Sequence, residues 1–98
     1  MSDIKNIQED IKHEVAIDIV MGVIGELTNI KIKIEDLSFD NETKERKIQK
    51  IEKILEILWK ERDLIYRGDK DAIERALTAY ALLYWLIDEE KIINSKTF

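Results

Sequence analysis

Residues 76–87 read ALTAYALLYWLI and carry no charged side chain, although 38% of the 98 residues in the chain are charged. At about 100° per residue, apolar side chains cover nearly every face of this segment as a helix. Such a helix lies at the centre of its domain, against a partner chain or in a membrane. Twelve residues fall short of the roughly 20 that span a bilayer, so the segment predicts a strongly apolar third helix with surface to spare for a dimer.

The rest of the chain predicts helices as well, because it contains no proline and only three glycines. Gly68 is suited to end one helix, and Asp69 to cap the next. We expect a single all-α domain over residues 1–98, made of a long antiparallel helical hairpin and the third helix. Its parts are helix 1 over about 3–35, helix 2 over about 42–67, helix 3 over about 70–91, and a short tail over 92–98.

Two apolar stripes of helix 1 point in different directions. The first contains Ile4, Ile7, Ile11 and Val15, and the second contains Ala16, Ile19, Val20, Val23, Ile24, Leu27, Ile30 and Ile34. They are rotated by roughly 100 to 150° on the wheel, so one straight helix cannot turn both towards one core. Either the helix bends near Gly22 and Gly25, or the first fifteen residues reach over a second chain. The length of about 50 Å favours the second interpretation.

Helix 2 carries its own apolar stripe, which we expect to face the core. Its members are Ile48, Ile51, Ile54, Leu55, Leu58, Trp59 and Ile65. Combined with the uncovered stripe of helix 1 and the all-round apolar helix 3, this arrangement predicts a three-helix unit that assembles as a helical-bundle homodimer.

The candidate interface with a second copy or another protein is drawn from helices 1 and 3. It consists of Ile4, Ile7, Ile11, Val15, Asp18, Tyr80, Leu83, Tyr84 and Ile87. Asp18 is the only charged residue between Glu14 and Glu26. A lone polar residue on an apolar seam commonly sets register or oligomeric state, and we expect a hydrogen-bond donor or a cation beside its carboxylate.

An acidic ridge on helix 1 is the only arrangement that suggests a metal. Asp10, Glu14 and Asp18 follow one another at four-residue spacing, which suits a cation or a cationic partner. Di-metal helical bundles require a repeated Glu-x-x-His motif, whereas Asp10-x-x-His13 occurs once here. We therefore expect no metal or cofactor, and a surface position for His13.

Basic residues on one face of helix 2 suggest a different partner. Arg46, Lys50, Lys53, Lys60 and Arg67 are the candidate contacts to a phosphate backbone. Glu42, Glu56 and Asp63 each precede one of these residues by four positions, which is the favourable order for ion pairs on a solvated helix. The solvated face is the preferred interpretation, and contact with nucleic acid remains the alternative.

Composition excludes several classes of protein. The net charge is −5, there is no cysteine and one histidine, and no glycine-rich phosphate loop is present, so we expect neither an enzyme nor a membrane protein. The lack of cysteine and the polar first residues favour the cytoplasm. We expect a small acidic protein–protein interaction module, an inhibitor or neutralising binder such as an antitoxin, an immunity protein or a phage inhibitor. The alternative is a dimeric nucleic-acid-associated regulator that uses helix 2.

Overall fold

A computed structural model describes residues 2–37 and 39–95, with side chains from residue 7 onwards, and everything regular in these ranges is helical. Helix α1 spans Ser2–Asp36 and α2 spans Asn41–Tyr66. Helix α3 covers residues 70–86, as Lys70–Arg75, a wider π-helical turn at Ala76–Tyr80, and Ala81–Leu86. Helix α4 is Glu89–Asn94. The prediction of an all-α fold with a long antiparallel hairpin and a third helix is confirmed.

Local chemistry explains where α2 and α3 begin and end. Asp40 accepts a hydrogen bond from the Thr43 backbone N at 2.7 Å and so caps α2. At the other end Gly68 takes a left-handed conformation with φ of 80°, which costs a glycine nothing. Its N–H donates to the Ile65 carbonyl, and Asp69 then caps α3 by accepting from the Ala72 N at 2.8 Å.

The core lies between α1 and α2, and α3 closes one side of it. The side chains that are buried in it are Ala16, Val20, Val23, Ile24, Leu27, Ile30, Ile34, Ile51, Leu55, Leu58, Ile65, Ala72 and Ala76. Helix α3 contributes only alanines to this set, because a small side chain lets its backbone approach α1 closely. The second stripe of α1 is therefore the core stripe, apart from Ile19, which is partly exposed.

Three expectations about the helices differ from the structure. Helix α3 ends at Leu86 instead of about 91, because Ile87 and Asp88 are extended and Asp88 caps the separate helix α4. The uncharged segment is only partly central: Ala76 is in the core and Leu77, Tyr80 and Ile87 pack against it, whereas residues 82–86 are exposed. Trp59 is 41% exposed instead of inward-facing, and its ring lies 4.5 Å from the Arg62 guanidinium. In the tail, Ile92 and Ile93 pack against the core, and residues 96–98 lie outside the described residues.

Helix α1 is continuous through Gly22 and Gly25, and it extends past the body of the molecule. His13 lies beside Ile65 near the C-terminal end of α2, so residues 2–12 project beyond that end, and we call them the N-terminal arm. The molecule measures 60 × 21 × 19 Å with a radius of gyration of 16.1 Å. A compact chain of about 100 residues has a radius near 13 Å. None of the described helices is both long enough and apolar enough to cross a membrane.

Candidate interaction surface

The first stripe of α1 stays uncovered in this chain. Ile7 is 57% exposed, Ile11 is 53% exposed and Val15 is 41% exposed. These residues share one face at three-to-four spacing, and that face points away from the core stripe by roughly 150°. A continuous helix cannot bury both, so the core stripe packs on α2 and the first stripe faces outwards. The side chain of Ile4 lies outside the described residues.

The second half of α3 adds a row of exposed apolar side chains. Trp85 is 87% exposed, and the others are Leu82, Leu83, Tyr84 and Leu86. They are exposed because α3 meets the rest of the chain through Ala72, Ala76 and the half-buried Leu77 and Tyr80. Once that narrow face is covered, part of the Tyr84 ring still reaches α1 at Gly22, and Leu82, Trp85 and Leu86 stay largely exposed among the described residues.

A groove between α1 and α3 joins these two regions. It is lined by Val15, Asp18, Ile19, Ala81, Tyr84 and Trp85. The Tyr84 ring crosses α1 at Gly22, where a Cβ atom would overlap the Cε2 atom of the ring. We use the name arm–α3 surface for Ile7, Ile11, Val15, Leu82, Leu83, Tyr84, Trp85 and Leu86 together with this groove.

Two residues of the predicted interface, Tyr80 and Ile87, take other places, while Asp18 keeps its place at the groove. Tyr80 and Ile87 are partly buried against the core of their own chain. Burial raises the pKa of the Tyr80 phenol, and the nearby Glu61 carboxylate raises it further. Asp18 is exposed at the groove, and the donor or cation expected beside it is not found among the described side chains.

His13 is not the free surface residue that the sequence predicts. It is half-buried, and its Nε2 donates to the Ile65 carbonyl O at 2.6 Å, as a second donor beside the Gly68 N–H at the end of α2. Asp10 and Glu14 are exposed on α1. In the described part of the chain, no three acidic, histidine or cysteine side chains come together as metal ligands.

The basic face of α2 is interrupted by acids. Lys60 pairs with Glu56 at 3.7 Å, as the four-residue spacing predicts, and Glu52 pairs with Lys31 of α1 at 3.2 Å. Arg46 and Lys53 are exposed, and Lys50 is partly buried. This face therefore presents cations and anions in alternation, which lowers its potential towards a phosphate backbone.

Sequence reasoning missed the contacts that fix α3 on α2. Arg75 donates to both carboxylate oxygens of Glu61, at 3.0 Å from Nε and at 3.0 Å from an Nη. This paired geometry raises the pKa of Arg75, and the side-chain hydrogen bonds to Glu61 are the main cause. The two residues lie 14 positions apart on different helices. No periodicity along one helix reveals such a pair.

Comparison of the chain with protein-family models, curated proteins and solved structures finds no significant match.

Proposed function

We propose that this chain is a small non-enzymatic protein–protein interaction module that binds and inhibits, or neutralises, another protein. The arm–α3 surface is the observation that carries the proposal. It places large apolar side chains in water on a chain that is 38% charged. Exposed apolar surface of this extent marks a site of protein interaction in soluble proteins.

The chemistry of the surface fits a protein partner. Trp85 and Tyr84 are of the residue types that contribute most binding energy at protein interfaces, and we assign them to the contact between two copies of the chain, which leaves Leu82 and Leu86 to the target. Leu82 and Leu86 lie exposed beside them. After Ile87 come the carboxylates of Asp88, Glu89 and Glu90, of which Glu89 pairs with Lys33, and the net charge is −5. A partner with a basic rim around an apolar pocket complements this arrangement.

The same surface supports a second part of the proposal, that the chain forms a homodimer. The arm projects from a molecule whose radius of gyration exceeds that of a compact domain by about 3 Å. Closed two-fold dimers are the commonest oligomers, and they bury self-complementary patches of this kind. An inhibitor that is also a dimer presents two copies of the outer face of α3 to its target.

Affinity capture with a matched pair of variants tests the binding function. The baits are tagged wild type, Leu86→Glu on α3, and Ile57→Glu on α2 as a control. Leu86 is 68% exposed and Ile57 is 56% exposed, so neither substitution disturbs the core. We expect wild type and the control to recover one protein in stoichiometric amount, and nuclease treatment should not remove it. Leu86→Glu should fail to recover this protein. The purified chain should then inhibit the activity of that protein in proportion to its concentration.

The opposite outcome is equally specific. Recovery of nuclease-sensitive material alone, abolished by Lys50→Glu and Lys53→Glu and unaffected by Leu86→Glu, would overturn the proposal and assign the function to the basic face of α2. A partner held equally by wild type and Leu86→Glu would remove the arm–α3 surface from the binding site.

A further inference from the structure

We propose that the groove between α1 and α3 is filled by the N-terminal arm of a second copy of this chain. The two copies would exchange arms reciprocally, with antiparallel α1 helices and a two-fold axis near Val15. This inference rests on the homodimer proposed above, and it names the surface and the geometry that form it. The outer residues Leu82 and Leu86 remain available to a different partner.

The arm has an apolar stripe that the described residues of its own chain leave exposed. Residues 2–12 extend about 16 Å at 1.5 Å per residue beyond the level of His13. The arm continues a helix that is already nucleated, but most helical stability in proteins comes from packing of an apolar face, and the face of the arm is exposed. Its exposed apolar residues, Ile7 and Ile11, lie on one face, which is the arrangement of a helix that docks on another surface.

The groove offers a matching site. Its apolar lining comes from Val15, Ile19, Ala81, Tyr84 and Trp85. Ala81 is small and leaves room for an incoming aliphatic side chain, while the Trp85 ring stands free beside it. A helix that enters with isoleucines on one face would cover the Trp85 ring and keep its polar faces in water.

The position of Val15 makes the surface self-complementary. Val15 is the last exposed residue of the arm stripe and also the first residue of the groove. When two antiparallel α1 helices cross at Val15, residues at equal distances on either side oppose one another. Ile11 then meets the partner's Ile19, and Ile7 lies further along the partner's groove beside α3. This two-fold symmetry favours a second copy of the chain over a partner of another sequence as the occupant of the groove.

The arrangement also avoids collision. Ala81 lies beside Asp18 and Ile19, and Tyr84 lies beside Gly22, so α3 runs in the same direction as α1 and away from the arm. Ile7 and Ile11 are exposed, so the outer face of the arm is free of the described residues of its own chain. In the antiparallel pair the partner's α3 lies against this face.

The buried area reaches what a specific dimer needs. A tryptophan or tyrosine side chain contributes about 150–250 Å² when it is fully buried. Tyr84, Trp85 and the three aliphatic residues of the arm stripe occur twice in the dimer. Their combined exposed surface is on the order of 1,000 Å², the area that a biological interface should clear.

The first test measures the dissociation constant of the dimer by sedimentation equilibrium over micromolar concentrations. Wild type should be dimeric, and Ile11→Glu should weaken the dimer at least tenfold, because it buries a carboxylate in the partner's groove. Ile57→Glu, matched in residue type and exposure, should leave the constant unchanged. Circular dichroism should show that both variants remain folded.

The second test exploits the absence of cysteine from the chain. Chains carrying Ile11→Cys are mixed with chains carrying Ala81→Cys and oxidised. We expect disulfide-linked heterodimers, and none when Ile57→Cys replaces Ile11→Cys. A wild-type monomer at all concentrations would overturn both this inference and the proposed homodimer. A stable dimer that is insensitive to Ile11→Glu, or that fails to cross-link, would overturn the arm exchange alone. The affinity capture described above decides the inhibitory function independently.

Discussion

Lys47 is the one charged side chain that is buried among the described residues, with 2% of it exposed. Its Nζ donates to the Ser95 carbonyl O at 2.6 Å and lies 5.7 Å from the centre of the Phe39 ring. Desolvation lowers the pKa of Lys47 below its ordinary 10.5, and the neighbouring Arg46 and Lys50 lower it further. Burial of this ammonium therefore opposes folding wherever it is protonated, and the contact with Ser95 holds the C-terminal segment on α2.

A pH dependence of stability follows for Lys47. Between the lowered folded pKa and 10.5, the unfolded chain binds more protons than the folded one, so the free energy of unfolding rises with pH. The Lys47→Met variant should lack this contribution, and wild type should become more stable relative to the variant by at most about 1.4 kcal/mol per pH unit. Urea unfolding from neutral to alkaline pH measures the difference.

Exposed Lys53 provides the control for this prediction, since Lys53→Met removes a lysine without changing the core. The difference in free energy of unfolding between Lys53→Met and wild type should be the same at every pH. If the difference between Lys47→Met and wild type is also independent of pH, burial of the Lys47 ammonium carries no desolvation penalty.

Single residues show both the reach and the limit of sequence reasoning here. The burial of Lys47 was not predicted, although Lys47 lies next to Ile48 and four positions before Ile51 on the core stripe of α2, a spacing that could have indicated it. The contact of His13 was not readable, because its acceptor is a backbone carbonyl 52 positions away. Asp18 was identified as unusual from the sequence, but its position at the edge of a groove depends on where α3 packs.

At the scale of the helices, composition and spacing predicted α1 and α2, and packing decided the outcome for α3. Gly68 and Asp69 are local signals, and the turn they predict is present. The end of α3 depends on Ile87, which leaves the helical conformation and packs on the core. The apolar segment looked central because a wheel counts apolar faces without the number of neighbours available to cover them.

The two glycines of α1 give a prediction about the contact between α1 and α3. A Cβ at Gly25 meets nothing within 4 Å, so Gly25→Ala should stabilise the helix by about 0.5–1 kcal/mol. A Cβ at Gly22 overlaps the Tyr84 ring, so Gly22→Ala must displace the ring. It should therefore stabilise the protein less than Gly25→Ala does. Chemical denaturation measures both changes.

A coupling experiment separates the ring contact from helix propensity. In a Tyr84→Ala background, Gly22→Ala should stabilise the protein as much as Gly25→Ala does, because the overlapping atoms are gone. Equal effects of the two glycine substitutions in the wild-type background would show that Tyr84 does not lie over Gly22 in solution.

For the whole molecule, the opposed stripes of α1 were the decisive sequence signal. They predict that the two apolar stripes of one continuous helix pack against two different partners. The structure places one stripe in the core and leaves the other exposed. The identity of what covers the exposed stripe could not follow from periodicity, because a pattern specifies a face and not its partner.

The arm exchange predicts the outline of the dimer. Val15 lies about 20 Å from the N-terminal end of α1 at 1.5 Å per residue. About 40 Å of the 60 Å long axis therefore extends on its other side. A two-fold axis at Val15 overlaps the two arms with the two bodies and gives a particle about 80 Å long. Small-angle X-ray scattering at concentrations that saturate the dimer should return this longest dimension. The Ile11→Glu variant should return about 60 Å, which is the length of the monomer. A value near 120 Å for wild type would indicate end-to-end association and would contradict a two-fold axis at Val15.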